Sequence, residues 1–334
     1  MIDPFRFFHV QVSGLRRLSP SFLRVTFTGD DLDLFADNGF DQRIKLVLPH
    51  EGPREEPREK ARGEHGFAHL PTGSDWYARW RALPAGLRNP FRTYTVRAVR
   101  HGLREVDLDI VMHETAHATA HAAAREAAHG TGRLTPTRSP GPVARWARAV
   151  RPGDEAVLLG PDARHGGEPT GIEFRLPEGN GPILLAGDET AAPAVASILE
   201  RLPRDRRGEA LLEVPCAADV LDLDAPEGLA VTWLPRDGAE HGDLLVPAVR
   251  AAADRLLPAP GGPAAQGLPE VDVDSEILWE VPPEGREAGS VYAWLAGEAA
   301  VIRTLRRHLV AERGLDRRSV AFMGYWRVGR AESA

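Results

Sequence analysis

Residues 182–202 read Pro182-Ile-Leu-Leu-Ala-Gly-Asp-Glu-Thr-Ala-Ala-Pro-Ala-Val-Ala-Ser-Ile-Leu-Glu-Arg-Leu202. The short apolar run ending at Gly187 is what a strand buried on both faces requires. Val195, Ile198, Leu199 and Leu202 then recur at i, i+3, i+4 and i+7, one stripe of a helix. The pattern continues downstream. Strands are expected at 210–214 and 229–234, a helix through 244–257 and, after a Gly/Pro-rich stretch at 258–269, a strand at 291–295. A helical stripe of Val301, Ile302, Leu305 and Leu309 is stopped by Gly314, and a last strand covers 320–325. Strand–helix alternation of this kind means an open, mostly parallel α/β sheet.

Toward the amino terminus the period changes to two. Leu23, Val25 and Phe27 face one way, and Arg24, Thr26 and Thr28 the other. The same alternation recurs at Ile44, Leu46 and Leu48, at Tyr94, Val96 and Ala98, and at Val106, Leu108, Ile110 and Met112. Such strands, cut by Gly, Pro and Asp turns, indicate an antiparallel sheet or small barrel with one wet face. Residues 51–66, polar and broken by Pro and Gly, read as a solvated excursion. The expected division is 1–175 for the barrel and 176–334 for the α/β domain.

The 334 residues are 43% hydrophobic and 27% charged, enough for two cores, and the formal charge of −7 argues against nucleic acid or an anionic membrane surface. No apolar run reaches the ~20 residues of a membrane helix, and no secretory signal is evident. Cys216 is the single cysteine, so this chain alone supplies no disulfide framework, thiolate zinc site or four-cysteine iron–sulfur cluster. A reducing, cytoplasmic setting is expected, with Cys216 a small buried residue. Lys45 and Lys60 are the only lysines among 41 basic residues, which devalues each arginine as a clue and singles out Lys45.

Four segments carry chemistry. In Arg92-Thr-Tyr-Thr-Val-Arg97 a strand projects Arg92 and Tyr94 from one face, a cation beside an aromatic plane. That pair suits a flavin dinucleotide, with Arg92 on pyrophosphate, Tyr94 against the ring and Thr95 donating to its N5 edge; an ordinary edge strand is the alternative. Gly141-Pro-Val143 fits the start of a helix, where free N–H groups attract phosphate. Gly187-Asp-Glu-Thr-Ala191 lies where a parallel strand turns into its helix: Gly187 lets backbone approach a ligand and Thr190 offers a hydroxyl at the helix start, a plain helix capped by Asp188 or Thr190 being the alternative. It lacks Gly-x-Gly-x-x-Gly, which favours a transient dinucleotide over a tightly held one. Glu213 near the end of the second α/β strand suits an NADH ribose, whereas nearby Arg236 suits a 2′-phosphate, so NADH and NADPH both stay open.

In this order, these segments resemble the siderophore-interacting proteins, flavin-dependent ferric-siderophore reductases of the ferredoxin-reductase-like superfamily. The resemblance runs from about Phe7 to Arg330. It includes Ile44-Lys-Leu46, Asp109-Ile-Val-Met-His113, Trp233-Leu-Pro-Arg236, Trp294-Leu-Ala-Gly-Glu298 and Gly324-Tyr-Trp-Arg327. It implies a six-stranded antiparallel Greek-key barrel binding FAD, then an open parallel-sheet domain binding NAD(P)H near Gly187 to Ala191. Asp109, Val111 and His113 join the cofactor set, His113 beside the adenine half. Trp326 is implied to cover the flavin or line the cleft, with a core aromatic as the alternative. Lys45, Arg327 and Arg330 are implied to grip the ferric chelate, ordinary surface charge being the alternative.

The sequence departs from the family twice. Val143 and Ala144 stand where the family has Ala-Ser, removing a phosphate-binding hydroxyl. The Ala/His-rich stretch 114–140 is much longer than the family's. Within it, His113-Glu-Thr-Ala-His117 followed by His121 mimics a zinc-protease helix; no resident metal is expected. The expected activity is NAD(P)H-dependent, FAD-mediated reduction of ferric siderophores, releasing Fe(II) in the cytoplasm by a monomer that neither binds nucleic acid nor inserts in a membrane. The alternatives are a general flavin reductase or diaphorase, or a metal- or chelate-binding protein using the His-rich insertion.

Overall fold

A computed structural model describes residues 2–50, 64–112, 141–257, 278–282 and 290–329. They divide into two compact units, one built from 2–38 and 42–171, the other from 39–41 and 172–329.

The first unit is a closed barrel of β1 (Phe5–Arg17), β2 (Phe22–Thr28), β3 (Arg43–Val47), β4 (Phe91–Arg100), β5 (Glu105–Val111) and β6 (Glu155–Pro161). Its strand order is β1-β2-β5-β4-β3-β6, and every pairing is antiparallel. The non-sequential neighbours β2–β5 and β3–β6 make it a Greek key. The alternating apolar residues point inward: Phe8, Val10, Leu23, Val25, Phe27, Ile44, Leu46, Leu108 and Ile110 form one core. The opposite residues of β2, β4 and β5 form a polar ladder outside. Arg24 binds Asp109 through two nitrogens at 2.7 and 2.8 Å, Thr26 donates to Asp107, and Arg100 spans Asp107 and Glu105.

The expected wet face continues onto β1, where His9, Gln11 and Ser13 are exposed, but does not run round the barrel. On the outside of β3, β4 and β6, a short helix α1 (Trp76–Ala82) and Phe67 cover Val47, Phe91 and Val157. Trp80 is fully buried there, its indole donating to the Asn89 carbonyl at 3.0 Å. Helix α2 (Pro142–Ala149) packs against β4 and β5 and adds Val143 and Ala147 to the barrel core.

The second unit is a six-stranded sheet of order β10-β12-β11-β7-β8-β9. Its elements are β7 (Ile183–Gly187), α3 (Ala192–Arg201), β8 (Arg207–Val214), β9 (Gly228–Pro235), α4 (Leu245–Leu256), β10 (Trp279–Glu280), β11 (Tyr292–Glu298), α5 (Ala299–Arg306) and β12 (Val320–Trp326). All neighbours are parallel except β10, a two-residue strand antiparallel to β12. Val249, Ala252 and Ala253 of α4 and Ile302 and Leu305 of α5 pack with Leu184, Ala186 and Leu295 of the sheet. A π-helical turn (Arg307–Glu312) follows α5, and Gly314, at φ +71°, ends it. The chain runs β7→β8→β9 to one side and places β11 and β12 on the other. The topological switch point therefore lies between β7 and β11, and ligands of open α/β sheets bind outside the carboxyl ends at such a point.

Residues 39–41 precede β3 in sequence yet belong to this unit. The fully buried Asp41 carboxylate accepts from the Phe174 N–H at 2.9 Å, the Glu173 N–H at 3.1 Å and the buried Trp294 indole at 3.0 Å.

Candidate functional site

In the barrel unit, β4 carries chemistry on both faces. Tyr94 is half-buried and packs on the barrel core beside Ile44, its cross-strand partner; Arg92 shares this face and donates to the Phe91 carbonyl. Thr93 and Thr95 point the other way, opposite Lys45 and Arg43. Helix α2 packs against β4 and β5, with Gly141 as its N-cap. No side chain among the described residues caps it, and Pro142 occupies the first turn. The first intrahelical bond is Arg145 N–H to the Gly141 carbonyl, so the N–H groups of Val143 and Ala144 precede the ladder. Their side chains are buried, Val143 within the barrel core, so what they present is backbone. A Cβ added at Gly141 would meet nothing within 4 Å among the described residues. An uncapped helix packed on the strand that bears a guanidinium and an aromatic ring fits a dinucleotide carrying pyrophosphate, even without the hydroxyl lost at Ala144.

Two further residues of the expected cofactor set differ in what they offer. The Asp109 carboxylate, 5% exposed, is already held by the Arg24 fork, with Arg97 at 3.7 Å. Val111 ends β5, paired with Phe22. His113, with His117, His121 and the whole 114–140 stretch, lies outside the described residues. Among the described residues no His, Cys, Asp and Glu cluster could hold a metal ion.

On the outer face of the same barrel, a cavity of about 330 Å³ is lined by Asp3, Phe5, Phe7, Arg43, Lys45, Trp76 and Thr93, among others. Lys45 donates to the Thr93 hydroxyl at 3.1 Å and sits 5.2 Å over the Phe91 ring. Phe7 and Trp76 meet edge to face at 5.8 Å in its wall. An apolar chamber with two cations at one wall suits an aromatic or apolar ligand that bears negative charge.

In the second unit, the carboxyl ends of β7, β8, β11 and β12 meet in a buried polar network. Gly187 has no spare room: an added Cβ would lie 2.5 Å from both the Ala191 Cβ and the Ala296 carbonyl oxygen. The Asp188 carboxylate, 3% exposed, accepts from the Thr190 N–H at 2.9 Å and its hydroxyl at 2.5 Å. It also accepts from the Glu298 N–H at 2.8 Å and the Trp326 indole at 2.7 Å. Burial, reinforced by the neighbouring Glu189 charge, pushes the Asp188 carboxyl up to about 6 against the pull of the Thr190 and Trp326 bonds. Gly297, at φ +149°, gives Asp188 room; a Cβ there would lie 2.7 Å from its Oδ2. Trp326 also packs edge-on against His241 at 4.8 Å.

Glu189 and Glu213 are each 1% exposed. Arg236, its side chain 7% exposed, donates twice to Glu189, at 2.8 and 2.9 Å, and once to Glu213 at 3.3 Å. Burial raises the Glu189 carboxyl, but the Arg236 bonds and charge outweigh it and hold the group below its ordinary range. Glu213 accepts in addition from the N–H groups of Gly242, Leu244 and Leu245, capping the start of α4. Sequence reasoning missed this role for both residues, because their partners lie 23 to 47 residues away. Cys216, expected to be a small buried residue, is half-buried, and its thiol donates to the Asp219 carboxylate at 3.2 Å. Arg327 is half-buried just past β12, and Arg330 lies outside the described residues.

Comparison with known proteins adds the family. Residues 11–165 match the model of the siderophore-interacting FAD-binding domain, and residues 181–329 that of the siderophore-interacting protein. An uncharacterised protein of Mycobacterium tuberculosis is 31% identical over 96% of this chain and 90% of its own length. The ferric vibriobactin reductase ViuB of Vibrio cholerae is 27% identical over 95% of this chain and 88% of its own. The crystal structure of a siderophore utilization protein from T. fusca has a TM-score of 0.65 at 29% identity, covering 99% of this chain and 96% of that one.

Proposed function

Since the chain belongs to the siderophore-interacting protein family, with an FAD-binding domain in its first half, we propose that it is a cytoplasmic NAD(P)H:ferric-siderophore oxidoreductase. The observation that carries the reading is that α2, with no side-chain cap among the described residues, packs on the β4 strand that bears Arg92, Tyr94 and Thr95. Arg92 and the Val143 and Ala144 N–H groups would hold the pyrophosphate of FAD, with Tyr94, on the face it shares with Arg92, against its ring and Thr95, on the other face, at the edge of the site. The flavin, when bound, supplies the conversion between a two-electron donor and one-electron acceptors. The protein's share is to bind, orient and shield, so no nucleophile or general base is needed.

Lys45 gives the substrate its charge complement. The cavity it lines, about 330 Å³, is the size of one arm of a chelate rather than a whole ferric siderophore. The Gly187 to Ala191 turn, at the switch point of the α/β sheet, is the place for the nicotinamide dinucleotide. Its carboxylate lining and missing Gly-x-Gly-x-x-Gly suit a donor that binds and leaves.

The test is a purified protein, its absorbance and its acceptor preference. Bound flavin, with NAD(P)H oxidation faster on ferric chelates than on quinones or free flavin, is the expected result. A colourless protein overturns the cofactor assignment, and a preference for quinones or free flavin makes the chain a general diaphorase.

A further inference from the structure

We infer that this chain takes NADH in preference to NADPH, because the one cation among the described residues positioned to read a 2′-phosphate is locked inside the fold. The inference rests on the donor reading above and narrows it to one nucleotide.

A dinucleotide lying across the carboxyl ends of a parallel sheet places its adenosine ribose at the strand next to the pyrophosphate turn. Here the turn follows β7, and its neighbour on the outer side is β8. β8 ends at Val214, and the loop beyond β9 is pinned beside it by Arg236 N–H to the Val214 carbonyl at 2.8 Å and Asp237 N–H to the Pro215 carbonyl at 3.1 Å. These two loops form the rim where a 2′-phosphate would sit.

Arg236 is the only arginine or lysine of that rim. Its guanidinium is spent on Glu189 and Glu213. Turning it outward would strip both side-chain donors from Glu189, a carboxylate 1% exposed to water. Such a charge cannot be left unpaired cheaply, so a bound phosphate would have to overcome the cost of breaking a buried pair. What else the rim offers is neutral or acidic: Pro215, Ala217 and Ala218, then the exposed Asp237 and Glu240, with Asp219 buried beneath. His241 follows, but its ring is packed against Trp326 and faces the buried carboxylates of Asp188 and Glu189. A phosphate dianion therefore meets like charge without a partner, whereas a ribose diol asks only for acceptors.

The experiment uses the FAD-loaded full chain. Initial rates with NADH and NADPH are measured with one ferric chelate, and equilibrium binding of NAD⁺ and NADP⁺ is measured by calorimetry. NADH should be favoured by about tenfold or more in kcat/KM, carried by KM, with NADP⁺ binding weaker by a similar factor. Ala217→Arg with Ala218→Arg, both at exposed positions, should shrink that ratio by supplying the missing cation. Arg236→Lys should affect the two donors equally. Equal use or preference for NADPH by the unaltered protein overturns the inference, as does a selective loss of NADPH use in Arg236→Lys. A protein that neither oxidises nor binds either nucleotide overturns the donor reading itself, and this inference falls with it.

Discussion

Removing the guanidinium of Arg236 should destabilise the second unit more than most single changes. Arg236→Ala leaves the Glu189 carboxylate, 1% exposed, without the two side-chain bonds of 2.8 and 2.9 Å it now accepts. Glu213 is less affected, since Gly242, Leu244 and Leu245 still donate to it. The cost is thus mostly one broken buried pair, about 3–5 kcal/mol. For a domain of this size that is roughly 6–20 °C in Tm, taking about 2–4 °C per kcal/mol. Glu189 can escape by taking up a proton, so the penalty should shrink by up to about 1.4 kcal/mol per pH unit as acid is added. The assay is urea unfolding at pH 8 and pH 5.5, with the loss expected in the transition of the second unit only. Glu189→Gln in the Arg236→Ala background should recover at least about 2 kcal/mol, because an amide tolerates burial without a cation. A loss below about 1 kcal/mol, or strict additivity of the two substitutions, would refute the argument.

Arg92→Ala should purify largely free of FAD while keeping its melting temperature in excess FAD within a few degrees; a fully yellow variant removes Arg92 from the site. Lys45→Ala should raise KM for an anionic ferric chelate several-fold, with the effect fading at high salt, and leave a neutral quinone unaffected; equal losses with both acceptors would mean a damaged fold. Asp188, pushed to about 6 from an unfolded value of 3.8, binds more protons folded than unfolded between those pH values. Its contribution is therefore present below about pH 4 and lost as pH rises through about 6, so Asp188→Asn should cost more stability at pH 4.5 than at pH 7.5. The reverse order in denaturant titrations would show the four donors on Asp188 outweighing its burial.

The barrel strands and the α/β alternation were legible because alternation and helical stripes are local patterns, and the structure places Leu23, Val25 and Phe27 in the core as the period demands. Short elements were not. α1 is seven residues, too few for a stripe, and β10 is two. Within the site, Arg92, Tyr94 and the start of α2 were read from residue type and order. The partners of Asp109, Glu213 and Arg236 were not, because each is claimed by a group distant in sequence: Arg24 is 85 residues from Asp109. A charged side chain announces that it needs a partner, but the period of its own strand says nothing about whether that partner is a ligand or the protein.

Asp41 sets a limit on how the gene can be divided. The Phe174 N–H and the Trp294 indole, both buried, are satisfied by a carboxylate encoded more than 130 residues upstream of either. A fragment beginning at Ile172 carries the whole α/β sheet but lacks that acceptor, and each orphaned buried donor costs about 1–3 kcal/mol. Expression of the carboxy-terminal half alone should accordingly give a poorly folded product, rescued only by grafting an acid beside Trp294. Swapping α/β domains between relatives would carry the same requirement: the incoming half must match the three-residue segment at 39–41 that its host barrel brings with it. The two units are thus separable as compact bodies but not as exons.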